Sequence, residues 1–71
     1  MTVANAHRGL VDSDDDRPRI RPSELAAYWN LNVKSIYRAI HSGRLPAYRL
    51  PGGGFRIRPS DAREYGELYD L

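Results

Sequence analysis

The sequence predicts a small α+β domain in which two helices, a β-hairpin and a third helix follow one another along the chain. Two short amphipathic segments with helix-start residues are separated only by residues 30–32, a spacing typical of two packed helices joined by a tight turn. Two alternating segments then flank the glycine-rich run 51–54, which indicates a hairpin. A chain of 71 residues without cysteine has room for one such domain, with neither disulfides nor thiolate metal ligands.

The first helix is predicted from about residue 22 to residue 29. Pro22 suits the first helical position, where its missing N–H costs nothing. Ile20 and Leu25 stand at the spacing of a hydrophobic staple, which fixes the angle at which the chain enters a helix. Trp29, the single tryptophan, shares a face with Leu25, and we expect it to anchor the core.

The second helix is predicted from about residue 33 to residue 42, with Asn32 as its N-cap and Gly43 as a left-handed stop. Its apolar side chains cluster on one face and its polar ones on the other. Arginine and lysine can bond guanine O6 and N7, and serine can bond a base or a phosphate. The polar face therefore suits DNA reading, although a plain solvent-facing side has the same composition; its members are Lys34, Ser35, Tyr37, Arg38 and His41.

The hairpin is predicted to pair residues 47–50 with residues 55–58 around the loop Pro51-Gly52-Gly53-Gly54. Alternation predicts that one face packs on the helices and carries Tyr48, Leu50, Phe55 and Ile57. The other face carries Arg49, Arg56 and Arg58. Glycines at 52, 53 and 54 would let the backbone approach a phosphate closely.

The last helix is predicted to begin with Ser60 as its N-cap, directly after Pro59. Ala62, Tyr65, Leu68 and Tyr69 form its apolar stripe. Gly66 weakens it by about 1 kcal/mol relative to alanine. Its acidic surface would suit a basic neighbouring copy on DNA.

Charge is distributed unevenly along the chain. Residues 20–58 carry seven basic residues against one acidic residue, whereas residues 59–71 carry one against four. Residues 1–19 carry three basic against four acidic residues and few large apolar ones. We therefore expect a disordered acidic leader over 1–19 and a DNA-binding domain over 20–71, because the strongly basic stretch 20–58 favours a polyanionic partner.

Several function classes are disfavoured by composition. No apolar run approaches the ~20 residues of a membrane span, and no secretion signal is present at the start, so a cytoplasmic protein is expected. His7 and His41 have no partner at ligand spacing, and no base with an orienting partner is in sight. We expect no enzyme activity, no catalytic residue, no metal and no cofactor.

The order helix, three-residue turn, helix, hairpin, helix is that of a winged helix-turn-helix. Over residues 20–69 the chain resembles the MerR-like excisionase family of small DNA-binding proteins. The resemblance is carried by the run Ser35-Ile36-Tyr37-Arg38-Ala39-Ile40-His41-Ser42-Gly43-Arg44-Leu45-Pro46-Ala47, and by Phe55-Arg56-Ile57 followed by Ser60-Asp61. The chain departs from the family in having Asn30 where the turn usually has glycine, Arg21 at a usual Ser or Thr cap, and a longer hairpin tip.

The resemblance implies a division of labour on double-stranded DNA. The second helix would enter the major groove, with Lys34, Ser35 and Arg38 reading bases and Tyr37 and His41 at its margins. The wing, from Arg49 to Arg58, would follow the adjacent minor groove or its phosphates. Further phosphate contacts would come from Arg21, Ser23 and Arg44.

The implied function is that of an excisionase, a recombination directionality factor that bends phage attachment-site DNA inside a bacterial host. A phage integrase and further copies of the chain would be its partners. A small transcriptional repressor with the same reading head is the alternative, and a protein-interaction module is an alternative of another class.

Overall fold

A computed structural model describes residues 9–71, and the first eight residues of the predicted leader lie outside the described residues. Within that range the chain forms three helices and a two-stranded antiparallel sheet. The elements are α1 (Pro22–Trp29), α2 (Val33–His41), β1 (Tyr48–Arg49), β2 (Phe55–Arg56) and α3 (Pro59–Leu68). The predicted α+β class and element order are confirmed.

Ile20 and Ile57 form an antiparallel bridge that the sequence analysis did not anticipate. The Ile20 N–H donates to the Ile57 carbonyl at 3.1 Å, and the Ile57 N–H donates to the Ile20 carbonyl at 2.8 Å. Both side chains are fully buried. The bridge therefore ties the segment before α1 to the segment between β2 and α3.

The core is aliphatic, and Trp29, which was expected to anchor it, packs against it at its margin. Trp29 is half-buried and contacts the Tyr65 ring with 5.8 Å between ring centroids. α3 passes so close to it that a Cβ added at Gly66 would lie 2.8 Å from Trp29 Cζ2. The tryptophan thus packs against α3, while the space between the elements is filled by Ile20, Leu25, Ile36, Leu45 and Ile57.

All three helices end in the same way, with a left-handed residue just after the last turn. These residues are Asn30 (φ 57°), Gly43 (φ 82°) and Asp70 (φ 57°). The next N–H along the chain then donates to a carbonyl five residues earlier, the Schellman arrangement. These bonds join Leu31 to Ala26 at 2.8 Å, Arg44 to Ala39 at 3.0 Å and Leu71 to Gly66 at 2.7 Å. The predicted stop at Gly43 is confirmed.

The helix starts explain one error of the sequence analysis. α3 begins at Pro59 with Arg58 as its N-cap, so Ser60 is the second helical residue rather than the cap. Proline has no N–H and a helical φ, which makes it a natural first residue, as Pro22 is in α1. The acceptor for the Ser60 N–H comes from Asp16, 44 residues upstream, whose carboxylate also accepts from Ser60 Oγ, each at 2.8 Å.

Residues 9–19 differ from the disordered leader that the sequence analysis expected there. Val11 is buried, and its carbonyl accepts from Arg63 Nη1 at 2.7 Å. Asp15 forms an exposed salt bridge with Arg17 at 2.8 Å, and this partner lowers the pKa of Asp15 to about 2. Since Asp16 also caps α3, this segment packs along α3 through specific polar contacts.

The hairpin register differs by one residue from the prediction. Tyr48 pairs with Arg56, and Arg49 pairs with Phe55, whereas the sequence analysis placed all three arginines of the wing on one face. Leu50 N–H donates to the Gly54 carbonyl at 3.0 Å, so Gly54 continues the ladder and only residues 51–53 form the loop. A three-residue loop with a left-handed last residue is a common hairpin connection, and Gly53 has φ 96°.

The consequence is that the two faces of the ribbon have a mixed composition. Residues directly opposite each other in an antiparallel pair project from the same face, and a one-residue shift moves every side chain to the other face. Tyr48, Arg56 and Arg58 therefore share the outer face. Arg49 shares the inner face with Phe55 and the buried Ile57.

We expect Gly66→Ala to lower the free energy of unfolding, although alanine is better than glycine within a helix by about 1 kcal/mol. The new Cβ would meet the Trp29 ring at 2.8 Å. In a Trp29→Leu background the ring is gone, and the same substitution should instead raise stability by up to about 1 kcal/mol. Denaturant unfolding of the four proteins tests this, and equal effects in both backgrounds would contradict the close approach.

We expect Asp16→Ala to lower the melting temperature at neutral pH, and the matched charge removal Asp14→Ala to have little effect. The bonds from Ser60 lower the pKa of Asp16, so its stabilising effect is complete above the ordinary aspartate pKa and disappears as the pH falls through the lowered value. Melting curves of the three proteins between about pH 7 and pH 2 test this. A deficit of Asp16→Ala that persists at the acid end would show that the carboxylate charge is not responsible.

Candidate nucleic-acid interface

α2 presents an exposed polar surface because its apolar side chains are directed at α1. Ile36 and Ala39 are buried, and the turn 30–32 joins the two helices as predicted. The Asn32 side chain accepts from the Lys34 N–H at 2.9 Å, which caps the start of α2. Of the five candidate side chains of this helix, Ser35 is half-buried, and the exposed ones are Lys34, Tyr37, Arg38 and His41.

Phe55 of the hairpin is in contact with two of those exposed side chains. Its ring lies 6.2 Å from the Tyr37 ring at 62°, and 5.9 Å from the His41 ring at 87°, measured between centroids. Such edge contacts stabilise aromatic pairs by about 0.5–1.5 kcal/mol each. They join α2 to the wing, so that the two candidate DNA-contacting elements form one surface.

The arginines of the wing are held to different degrees. Arg56 Nη1 donates to the Phe55 carbonyl at 2.8 Å. The Arg58 guanidinium lies 4.9 Å from the centre of the Tyr48 ring, and its Nε is buried with no hydrogen-bond partner among residues 9–71. Arg49 is exposed and makes no side-chain hydrogen bond or ion pair within the described part of the chain. At the tip, Gly52, Gly53 and Gly54 are all exposed.

The three candidate phosphate contacts belong to two different elements. Arg21 and Ser23 are exposed at the start of α1, where backbone N–H groups and the helix dipole favour an anion. Arg44 follows α2, and its Nε donates to Ser42 Oγ at 2.8 Å. Its guanidinium also lies 5.9 Å from the centre of the Tyr69 ring, which connects the end of α2 to the end of α3.

Two aromatic residues have roles that the sequence did not indicate. Strand alternation predicts Phe55 and Tyr48 together on the core-facing side of the hairpin. In the structure Phe55 bridges α2 and the wing, while Tyr48 lies on the opposite face under Arg58. The signal that could have separated them is the preference for a three-residue glycine loop, which fixes the register.

Charge differs sharply between this surface and α3. Glu64, Glu67 and Asp70 are exposed on and just beyond α3, and Arg63 is directed to the Val11 carbonyl. Within residues 9–71 no group of three or more His, Cys, Asp or Glu side chains could hold a metal ion. The described helices include none that is long and apolar enough to cross a membrane.

A helix, a three-residue turn, a second helix with an exposed basic face, and a basic hairpin joined to it define a helix-turn-helix DNA-binding domain. A protein-family model described as a helix-turn-helix domain matches residues 20–65, and the chain belongs to that family. Neither the curated proteins nor the solved structures contain a match to this chain.

We expect Phe55→Leu to destabilise the domain by about 1–3 kcal/mol, because it removes both ring contacts with α2. Denaturant unfolding of Phe55→Leu, His41→Ala and the double variant measures how much of this loss is shared with His41. The two substitutions should be less than additive. Fully additive effects would mean that the His41 and Phe55 rings do not stabilise each other.

Proposed function

We propose that this protein is an architectural DNA-binding protein of the excisionase type. In this role it binds and bends attachment-site DNA, and so directs a phage integrase towards excision. α2 would read bases in the major groove through Lys34, Ser35 and Arg38. The wing and the start of α1 would hold the flanking phosphates.

The observation that carries this proposal is the continuity of the basic surface. The exposed side chains of α2 continue through Phe55 into the wing, where Arg49 lies on the same face as Phe55 and the glycines of the tip are exposed. A helix inserted in the major groove together with a ribbon beside it contacts DNA at two places a fixed distance apart. Such a rigid pair favours one particular groove geometry, which is the property that a DNA-bending protein needs.

The packing of the third helix fits an architectural role. α3 has ten residues and packs back onto Trp29, so within the described chain it does not project as a dimerisation helix. A single head of this size covers few base pairs. Copies bound side by side, with the DNA between them deformed, would supply the missing specificity.

Selection of bound duplexes from a random pool at moderate salt tests the proposal. Tandem direct repeats, together with bending of those duplexes in a gel-mobility assay, are the expected result. Palindromic sites would favour a repressor dimer instead, because half-site symmetry mirrors protein symmetry. An absence of enrichment would leave a protein-interaction role for the basic surface.

We expect Arg38→Ala to weaken binding to the selected site by about 1–3 kcal/mol without changing the melting temperature. Arg56→Ala should weaken binding evenly across sequences and make it less dependent on salt. Arg17→Ala is the matched control, because it removes an arginine that is paired with Asp15 outside the interface. Titrations of each variant with selected and scrambled duplexes at several salt concentrations measure both effects. A changed sequence preference in Arg56→Ala would contradict its assignment to the phosphate backbone.

A further inference from the structure

The two faces of the hairpin carry arginines in unlike environments. Arg56 and Arg58 lie on the outer face, where one donates to a carbonyl of its own strand and the other stacks on Tyr48. Arg49 lies on the inner face, directly opposite Phe55. The Cβ atoms of directly opposed residues are about 5 Å apart, so the Arg49 side chain starts beside the ring that contacts Tyr37 and His41.

Arg49 differs from its neighbours on the inner face because of its place near the tip. Ile57 is buried and Phe55 is half-buried, whereas Arg49 is exposed. Its guanidinium has no hydrogen-bonding or ionic partner among the described residues. The Arg49 side chain therefore projects from the α2 side of the ribbon, and its guanidinium is unpaired within the described residues.

From this geometry we infer that the hairpin straddles one sugar-phosphate strand of the DNA. Arg49 acts together with α2 at the edge of the major groove, and Arg56 and Arg58 act on the minor-groove side of the same strand. This inference rests on the proposed DNA binding and divides the wing into two functional halves. It differs from the expectation from sequence, in which all three arginines line the same groove.

A cationic side chain on each side of a strand would fix the rotation of the domain about that strand. With the arginines on one face only, the ribbon could roll while keeping its phosphate contacts. Two opposed contacts remove that freedom, and the ring contacts of Phe55 transmit the constraint to α2. The wing would thereby set the angle at which α2 enters the major groove.

The absence of cysteine from the chain permits a direct test by site-specific DNA cleavage. Lys34→Cys, Arg49→Cys and Arg56→Cys are each prepared in the full chain and labelled with an iron chelate that releases hydroxyl radicals. Each labelled protein is first shown to bind the selected duplex at the working concentration. A radical source in the minor groove gives cleavage maxima staggered in the 3′ direction across the two strands, and a source in the major groove gives the opposite stagger.

The expected result is a 5′ stagger from Lys34→Cys and Arg49→Cys and a 3′ stagger from Arg56→Cys. The same direction of stagger from Arg49→Cys and Arg56→Cys would overturn the straddling arrangement while leaving DNA binding by α2 intact. Failure of the unmodified chain to enrich any duplex from the random pool would overturn the proposed function itself. The two failures are therefore distinguishable.

Discussion

The antiparallel bridge between Ile20 and Ile57 is the contact on which the rest of the structure depends. Each isoleucine is fully buried and directly precedes the N-cap of a helix, Arg21 for α1 and Arg58 for α3. Two backbone hydrogen bonds between them therefore fix where both helices begin. α2 follows α1 through a three-residue turn, and β2 ends one residue before Ile57. The positions of α2 and of the wing therefore both depend on the bridge between Ile20 and Ile57. A buried backbone pair is costly to open, because its polar groups would lose their partners out of reach of water.

Much of this arrangement could be predicted because it is set by local chemistry. The capping of α2 by Asn32, the left-handed stop at Gly43 and the tolerance of Asn30 for positive φ all depend on neighbours a few residues away. The bridge was not predicted, although the chain repeats Ile-Arg-Pro-Ser at 20–23 and 57–60. The cap that Asp16 supplies to α3 spans 44 residues, a distance that no local pattern records. In α1, by contrast, the N–H of the N-cap residue Arg21 donates to the Glu24 side chain at 2.9 Å, a contact within one helical turn.

The candidate interface shows that composition does not reveal how its basic side chains are held. Seven basic residues lie between positions 20 and 58. The sequence correctly predicted that the two in α2, Lys34 and Arg38, are exposed. Arg44, Arg56 and Arg58, however, make contacts within the protein, with Ser42 and Tyr69, with a strand carbonyl and with Tyr48. Arg38 and Arg49 make none within the described chain. Which arginines are held depends on the carbonyl, hydroxyl and aromatic groups within their reach, and these follow from the register and from packing rather than from spacing.

The three-residue tip of the hairpin has a consequence for how such a domain can change. Because side chains alternate along each strand, the number of residues between the strands determines which side chains of β1 and β2 share a face. One glycine more or less between Leu50 and Phe55 would favour a register shifted by one residue, with Arg49 on the same face as Arg56. Insertions and deletions at an exposed tip are usually regarded as harmless. Here a single one would redistribute positive charge between the two sides of the ribbon without altering any charged residue.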